Sequence, residues 1–219
     1  MNITRNGIVY ELDMKANYAK VVACCTETTY EIVIPQTIHY LWKKFTVSEI
    51  ANKAFKGANV RKITLPESIT RIGEKAFLAS ELSYIHHNSP YSLVIQQFAF
   101  ADCKELKVAA FYCPIFLSGY NHFMNCCQLE KFASEHICEM IPAGAFANCN
   151  KLGRFFIQKD VEVSIDAFFN TKFREVFLDD GVVFQGKLED TICTETILCR
   201  PNSKFLDLVY DGYKVSIIK

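Results

Sequence analysis

The feature that most constrains this chain is an alanine–phenylalanine dipeptide that returns at a nearly fixed interval. It stands at Ala54-Phe55, Ala76-Phe77, Ala99-Phe100, Ala145-Phe146 and Ala167-Phe168, with His122-Phe123 holding the same place between them. Successive phenylalanines lie 22, 23, 23, 23 and 22 residues apart. Six units in step define a repeat array, in which each unit buries its apolar face only against its neighbours. Other columns keep the phase. Five residues before each phenylalanine stand Ile50, Ile72, Ile95, Ser118, Ile141 and Val163. Five or six residues after it stand Val60, Leu82, Leu106, Leu129, Leu152 and Phe173, and three beyond those come Ile63, Ile85, Ala109, Phe132, Phe155 and Val176.

Each unit therefore carries a segment of the form L-x-x-I-x-I, as in Val60-Arg61-Lys62-Ile63-Thr64-Leu65 and Phe173-Arg174-Glu175-Val176-Phe177-Leu178. Alternating large residues predict a short strand. Stacked as parallel rungs about 4.8 Å apart, the units would superpose Phe55, Phe77, Phe100, Phe123, Phe146 and Phe168 in a single file. That file is the expected centre of the core.

The stretch Val47-Ser48-Glu49-Ile50-Ala51-Asn52-Lys53-Ala54-Phe55, followed by Ile63-Thr64-Leu65-Pro66-Glu67-Ser68-Ile69-Thr70-Arg71-Ile72-Gly73-Glu74-Lys75-Ala76-Phe77, resembles the BspA-like leucine-rich repeat. The segment Ala145-Phe146-Ala147-Asn148-Cys149-Asn150-Lys151-Leu152 carries the same pattern. The fourth repeat departs most, with His122 for alanine and Ser118 for isoleucine. The resemblance implies an α/β leucine-rich-repeat solenoid, a right-handed superhelix with a parallel sheet of short strands and few short helices. Six repeats of 22–23 residues fill 47–178, a β-rich N-terminal cap fills 1–46, and an irregular final coil with a β-rich C-terminal cap fills 179–219. In the first cap, Gly7–Leu12 and Ala19–Ala23 read as a strand pair, and Glu31–Ile38 leads into the first coil. In the last, Val182–Phe184, Thr196–Cys199 and Tyr213–Ile218 read as strands, with a turn at Asp211-Gly212. The resemblance also implies adhesion to proteins or cells by a surface or secreted molecule.

Composition narrows the rest. The 24 basic and 24 acidic residues cancel, which leaves no electrostatic footprint for nucleic acid and no polybasic membrane anchor. The longest nearly apolar stretch, Val108–Leu117, is broken by Pro114 and is far shorter than the roughly 20 residues of a membrane helix, so no membrane insertion is expected. The opening Met1-Asn2-Ile3-Thr4-Arg5-Asn6-Gly7 lacks an export signal. On that ground the chain reads as cytoplasmic with reduced cysteines, whereas the resemblance points to a cell surface. A monomer is the expected state.

No catalytic, metal or cofactor site is expected. Cys103, Cys126 and Cys149 share a column with Ala58, Ser80 and Thr171, a pattern that selects small size. Cys24-Cys25 and Cys126-Cys127 are adjacent, and neighbouring strand residues point apart. His122, Cys126, His136 and Cys138 lack tandem metal-ligand spacing. His86-His87 reads as one exposed and one half-buried ring, no phosphate-binding glycine loop occurs, and Asp179-Asp180 sits at a glycine turn. The rival reading is a thiol-dependent hydrolase using Cys113, Cys127 or Cys138; a third is a structural subunit of a larger assembly.

A binding face follows from the strand alternation. One outward column reads Lys62, Tyr84, Val108, Lys131, Arg154, Glu175, and the next reads Thr64, His86, Ala110, Ala133, Phe156, Phe177. The candidate contacts for a protein ligand are Lys62, Tyr84, His86, Tyr112, Lys131, Arg154, Phe156 and Phe177. Phe156 and Phe177 are expected to form an exposed apolar pair unless the C-terminal cap folds over them.

Overall fold

The computed structural model describes residues 1–25, 29–201, 203–206 and 214–217. The chain opens with an antiparallel meander of β1 (Asn2–Arg5), β2 (Ile8–Asp13) and β3 (Tyr18–Cys24). The β1–β2 turn is Asn6-Gly7, at φ 48° and 74°. Positive φ at both central residues defines the hairpin turn for which Asn-Gly is the preferred sequence. Next come β4 (Thr29–Val33), β5 (Thr37–Tyr40) and β6 (Lys43–Ile50). Strands β5 and β6 form a second two-residue hairpin, with Leu41 at φ 44° and Trp42 at φ 65°. A bulky residue in this left-handed region costs about 1–2 kcal/mol.

The coils follow as β7 (Val60–Leu65), β8 (Arg71–Ile72), β9 (Tyr84–Asn88), β10 (Leu93–Gln96), β11 (Val108–Ser118) and β12 (Lys131–Cys138). Then come β13 (Met140–Ile141), β14 (Arg154–Ile157), β15 (Glu162–Val163), β16 (Lys172–Leu178) and β17 (Val183–Phe184). Among the described residues a single short α-helix, α1 (Leu188–Thr191), precedes β18 (Cys193–Cys199) and β19 (Lys214–Ile217). The result is a β-solenoid of about seven turns with parallel strands and almost no helix. The turn expected at Asp211-Gly212 lies outside the described residues.

Two parallel sheets run along the solenoid. The first stacks β4, β7, β9, β11 and β12, and resumes as β14, β16, β18 and β19. The second stacks β3, β6, β8, β10 and β11 and, after a break in the ladder, resumes as β13, β15 and β17. Strand β11 serves both, with a register shift between Phe111 and Pro114 against β12. The third side of each coil carries the Ala-Phe turn, where the amide of Phe55, Phe77, Phe100, Phe123 and Phe146 donates to the carbonyl of Ala76, Ala99, His122, Ala145 and Ala167 at 2.7–2.9 Å.

Inside, the six phenylalanines stack in one file, each ring's centroid 4.9–5.7 Å from the next and its plane tilted by no more than 19°. All six are essentially inaccessible to solvent. Ring thickness and rung spacing nearly match, so a strand ladder outside and an aromatic stack inside close together. Two residues past each ring the backbone turns left-handed, at Gly57, Ala79, Asp102, Asn125, Asn148 and Asn170. The last four join side chain to side chain: Asn125 donates to Asp102, Asn148 to Asn125, and Asn170 to Asn148, at 2.6–2.8 Å.

The fourth repeat is resolved differently from the sequence reading. Leu117, not Ser118, pairs with Ile95 and fills the apolar place, leaving Ser118 exposed. One extra residue is then absorbed before Phe123, where Gly119 turns at φ 95°. His122 is fully buried in the alanine column, its Nε2 3.1 Å from the Ser118 carbonyl. His87 is buried too, so the histidine pair is one half-buried and one buried ring rather than one exposed and one half-buried. Burial pushes both His87 and His122 down to about 4.

Phe100→Ala is expected to destabilise the fold by about 3–5 kcal/mol in urea titrations, and by more than Phe55→Ala, because Phe55 has a ladder ring on one side only. Acid should weaken the fold as well. Between the ordinary histidine value of about 6.5 and about 4, the unfolded chain binds protons that buried His87 and His122 refuse, so stability falls as pH drops. Moving from pH 7 to pH 5 should remove about 2 kcal/mol per histidine; His122→Ala should recover its share of that difference in paired urea titrations.

Candidate binding surface

Strand register places the outward columns as the alternation requires. In the first, Lys62 pairs with Tyr84, Tyr84 with Val108, and Val108 with Lys131; Arg154 pairs with Glu175. In the second, Thr64, His86, Ala110 and Ala133 run in register, and so do Phe156 and Phe177. The structure adds rungs that the repeat pattern did not reveal: Glu31 and Val33 of β4 at one end, Thr196 and Leu198 of β18 at the other.

The eight candidate residues fall into two patches separated by the small side chains Ala110 and Ala133. In the first, the Lys62 ammonium meets Glu31 at 2.8 Å and lies 5.6 Å above the Tyr84 ring. Tyr84, His86 and Tyr112 continue the line, with ring centroids 6.5 and 5.5 Å apart. His86 is half-buried, and its Nδ1 has no hydrogen-bond partner among the described residues.

The second patch is built around a gap. No backbone ladder joins β12 to β14, although every other neighbouring pair in the first sheet is laddered. The cause lies inside. Phe132 and Phe155 occupy consecutive places in a column that elsewhere holds Ile63, Ile85, Ala109 and Val176, and their rings stack 5.7 Å apart. Each ring is also wedged edge-on against the ladder, Phe132 on Phe123 and Phe146, Phe155 on Phe146 and Phe168.

An opening of about 910 Å³ lies over this gap. Phe132, Phe155, Phe156, Phe177 and Leu198 supply apolar wall, while Lys131, Lys151, Arg154 and Arg174 outnumber Glu130 and Glu175 at the edge. Arg154 is ion-paired with Glu175. Phe156 and Phe177 stack at 4.3 Å, but they are not an exposed pair. Phe156 is 45% exposed, whereas Phe177 is 7% exposed, closed between Phe156 and Leu198 of the next rung. Across the gap, the Gln158 amide nitrogen reaches the Glu135 carbonyl at 3.4 Å, and its Oε1 is buried with no partner among the described residues.

The cysteine column does more than fit. The thiols of Cys103, Cys126 and Cys149 donate to the carbonyls of Phe77, Phe100 and Phe123, one coil back, at 3.0–3.2 Å, and the Thr171 hydroxyl donates to Phe146 at 2.6 Å. Four of the six places thus hold a small donor, which size alone did not reveal. Burial pushes the Cys103 thiol up to about 12 and raises Cys126 and Cys149 well above the ordinary thiol range. Among the hydrolase candidates, burial lifts Cys113 to about 11 and raises Cys138, the reverse of an activated thiolate. None of Cys113, Cys127 and Cys138 is hydrogen-bonded to an imidazole. No cluster of three or more His, Cys, Asp or Glu suited to a metal occurs among the described residues.

Parallel rungs on two sides, an Ala-Phe turn on the third and an aromatic file within define a leucine-rich-repeat solenoid. Six copies of the BspA type leucine rich repeat region match residues 36–115 and 92–187, more than two thirds of the chain, and the chain belongs to that family. A leucine rich cell surface protein from Faecalibacterium prausnitzii shares the fold at a TM-score of 0.74 and 19% identity, over 93% of this chain and 55% of that one. The chain therefore spans little more than half the length of that relative. The pneumococcal vaccine antigen PcpA is similar at a TM-score of 0.65 and 18% identity, over 100% of this chain and 70% of its own. The Treponema pallidum leucine rich repeat protein matches at 0.54 and 19%, over 99% and 98%. No curated protein matches the sequence. No helix among the described residues is long and apolar enough to cross a membrane.

Alkylation of the native protein, read by peptide mass spectrometry, should modify exposed Cys25 and Cys193 first. Cys103, Cys126 and Cys149 should stay protected until denaturant unfolds the chain.

Proposed function

We propose that this protein is a non-catalytic protein-interaction module that holds an extended polypeptide segment over the gap between β12 and β14. The observation that carries the reading is the opening itself, where the first sheet loses its ladder beside the exposed Phe156 ring. Strand edges without partners offer backbone hydrogen bonds to an added extended chain, and flanking pockets select its side chains. The apolar wall suits an aromatic or aliphatic anchor, and the basic excess suits a neighbouring carboxylate. Raised thiol values and unlinked histidines favour binding over hydrolysis. The description of one relative as a cell-surface protein and of another as a vaccine antigen supports display or secretion, and with it an adhesive role.

A display library of short peptides panned on the protein should enrich sequences that place Asp or Glu beside Phe, Leu or Ile. Phe156→Ala should weaken the enriched peptides about tenfold or more while leaving the circular dichroism and urea midpoint nearly unchanged, since the ring is half open to water. Phe177→Ala should instead lower the urea midpoint. Peptides that bind Phe156→Ala as tightly as the parent would place the site elsewhere.

A further inference from the structure

The β5–β6 hairpin ends in the chain's one tryptophan, and that side chain is 104% exposed, as open as in an unfolded peptide. Leu41 beside it is 63% exposed. Both residues are held left-handed in a two-residue turn whose preferred sequence is Asn-Gly, and the β1–β2 turn of this same chain uses Asn6-Gly7. The root of the hairpin does not demand the exception: Ile38 and Phe45 pair in register and are buried, and Tyr40 packs against the core. Two apolar side chains are thus presented outward at a backbone penalty that folding does not require, the signature of a site kept for a contact.

The charge around the tip says what the contact is. Lys43 and Lys44 follow Trp42 directly, and the Lys43 ammonium donates to the Met14 carbonyl at 3.2 Å. That bond brings the β2–β3 turn, with exposed Lys15, beside the tip. The acidic residue of that turn, Asp13, is turned into it, accepting from the Lys15 and Ala16 amides at 2.8 and 2.9 Å. Three exposed lysines therefore lie next to the Leu-Trp tip in the chain or on the turn bonded to it.

We propose that the Leu41–Trp42 tip is a docking point for an anionic lipid surface. Leu41 enters the acyl boundary, the Trp42 indole lies at headgroup level, and Lys15, Lys43 and Lys44 meet the lipid phosphates and carboxylates. The contact is shallow and reversible, and it is independent of the gap between β12 and β14.

The one tryptophan makes the test direct. Its emission should shift to the blue and brighten when the protein meets vesicles of phosphatidylcholine mixed with phosphatidylserine, should respond far less to phosphatidylcholine alone, and should revert with added salt. The triple variant K15E/K43E/K44E keeps the tryptophan and should lose the shift, since each lysine contributes about fivefold in partition. The variant L41N/W42G, which installs the preferred turn, should melt at or above the parent temperature and no longer sediment with anionic vesicles. An emission unchanged by anionic vesicles, or a shift equal in K15E/K43E/K44E, would overturn the proposal. So would a blue shift that grows with protein concentration without lipid and tracks a dimer in size-exclusion chromatography, which would assign the tip to a second copy.

Discussion

The near-equality of two lengths underlies this structure. Hydrogen-bonded rungs repeat about every 4.8 Å, and stacked phenyl rings repeat at about 5 Å. One phenylalanine per coil therefore serves rung after rung without strain on either lattice. The alanine before each ring is buried in the same packing, and from Ala76 onward its carbonyl accepts from the phenylalanine amide of the coil before it. His122 is the exception, and its buried ring carries the fold's sensitivity to acid into the middle of the array.

Beside the file, a second pair of rings coincides with the place where the sheet opens. Phe132 and Phe155 are wedged edge-on against ladder rings of three coils, Phe123, Phe146 and Phe168. The outer strands β12 and β14 part, and the second sheet also lacks a ladder between β11 and β13, while the Ala-Phe turns stay bonded on the third side. The candidate binding surface is thus a local consequence of core packing, in which two phenylalanines replace the aliphatic side chains of the neighbouring coils. The Leu41–Trp42 tip follows a different logic: it departs from the turn rule that Asn6-Gly7 obeys, and nothing in the core compensates.

Much of this was legible in the sequence, because a repeat multiplies each weak signal. The ring file, the L-x-x-I-x-I strands and the outward columns all follow from one phase applied six times. What escaped were features that depend on neighbouring coils in space. Leu117 displaced Ser118 because an extra residue was absorbed at Gly119, a shift that counting from Phe123 cannot see. The small column was read as a size limit, whereas its thiols and the Thr171 hydroxyl donate across coils. The Asp102–Asn125–Asn148–Asn170 chain was visible as a column only once the left-handed turn gave asparagine a reason to be there. Alternation set Phe177 beside Phe156, but its closure by Leu198 depended on a rung in the unpatterned C-terminal stretch. The gap between β12 and β14 needed ring distances, although two phenylalanines in consecutive places of an aliphatic column were its signal.

Hydrogen exchange of the β14 amides, read against those of β16, tests the central claim that the wedged Phe132 and Phe155 rings hold the rungs apart. In the parent, the β14 amides that face β12 should exchange much faster than their β16 counterparts. In Phe132→Ile/Phe155→Val, which returns aliphatic side chains to the column, they should slow to the β16 level. Protection of β14 equal to that of β16 in the parent, or a gap that persists after both rings are removed, would contradict the account.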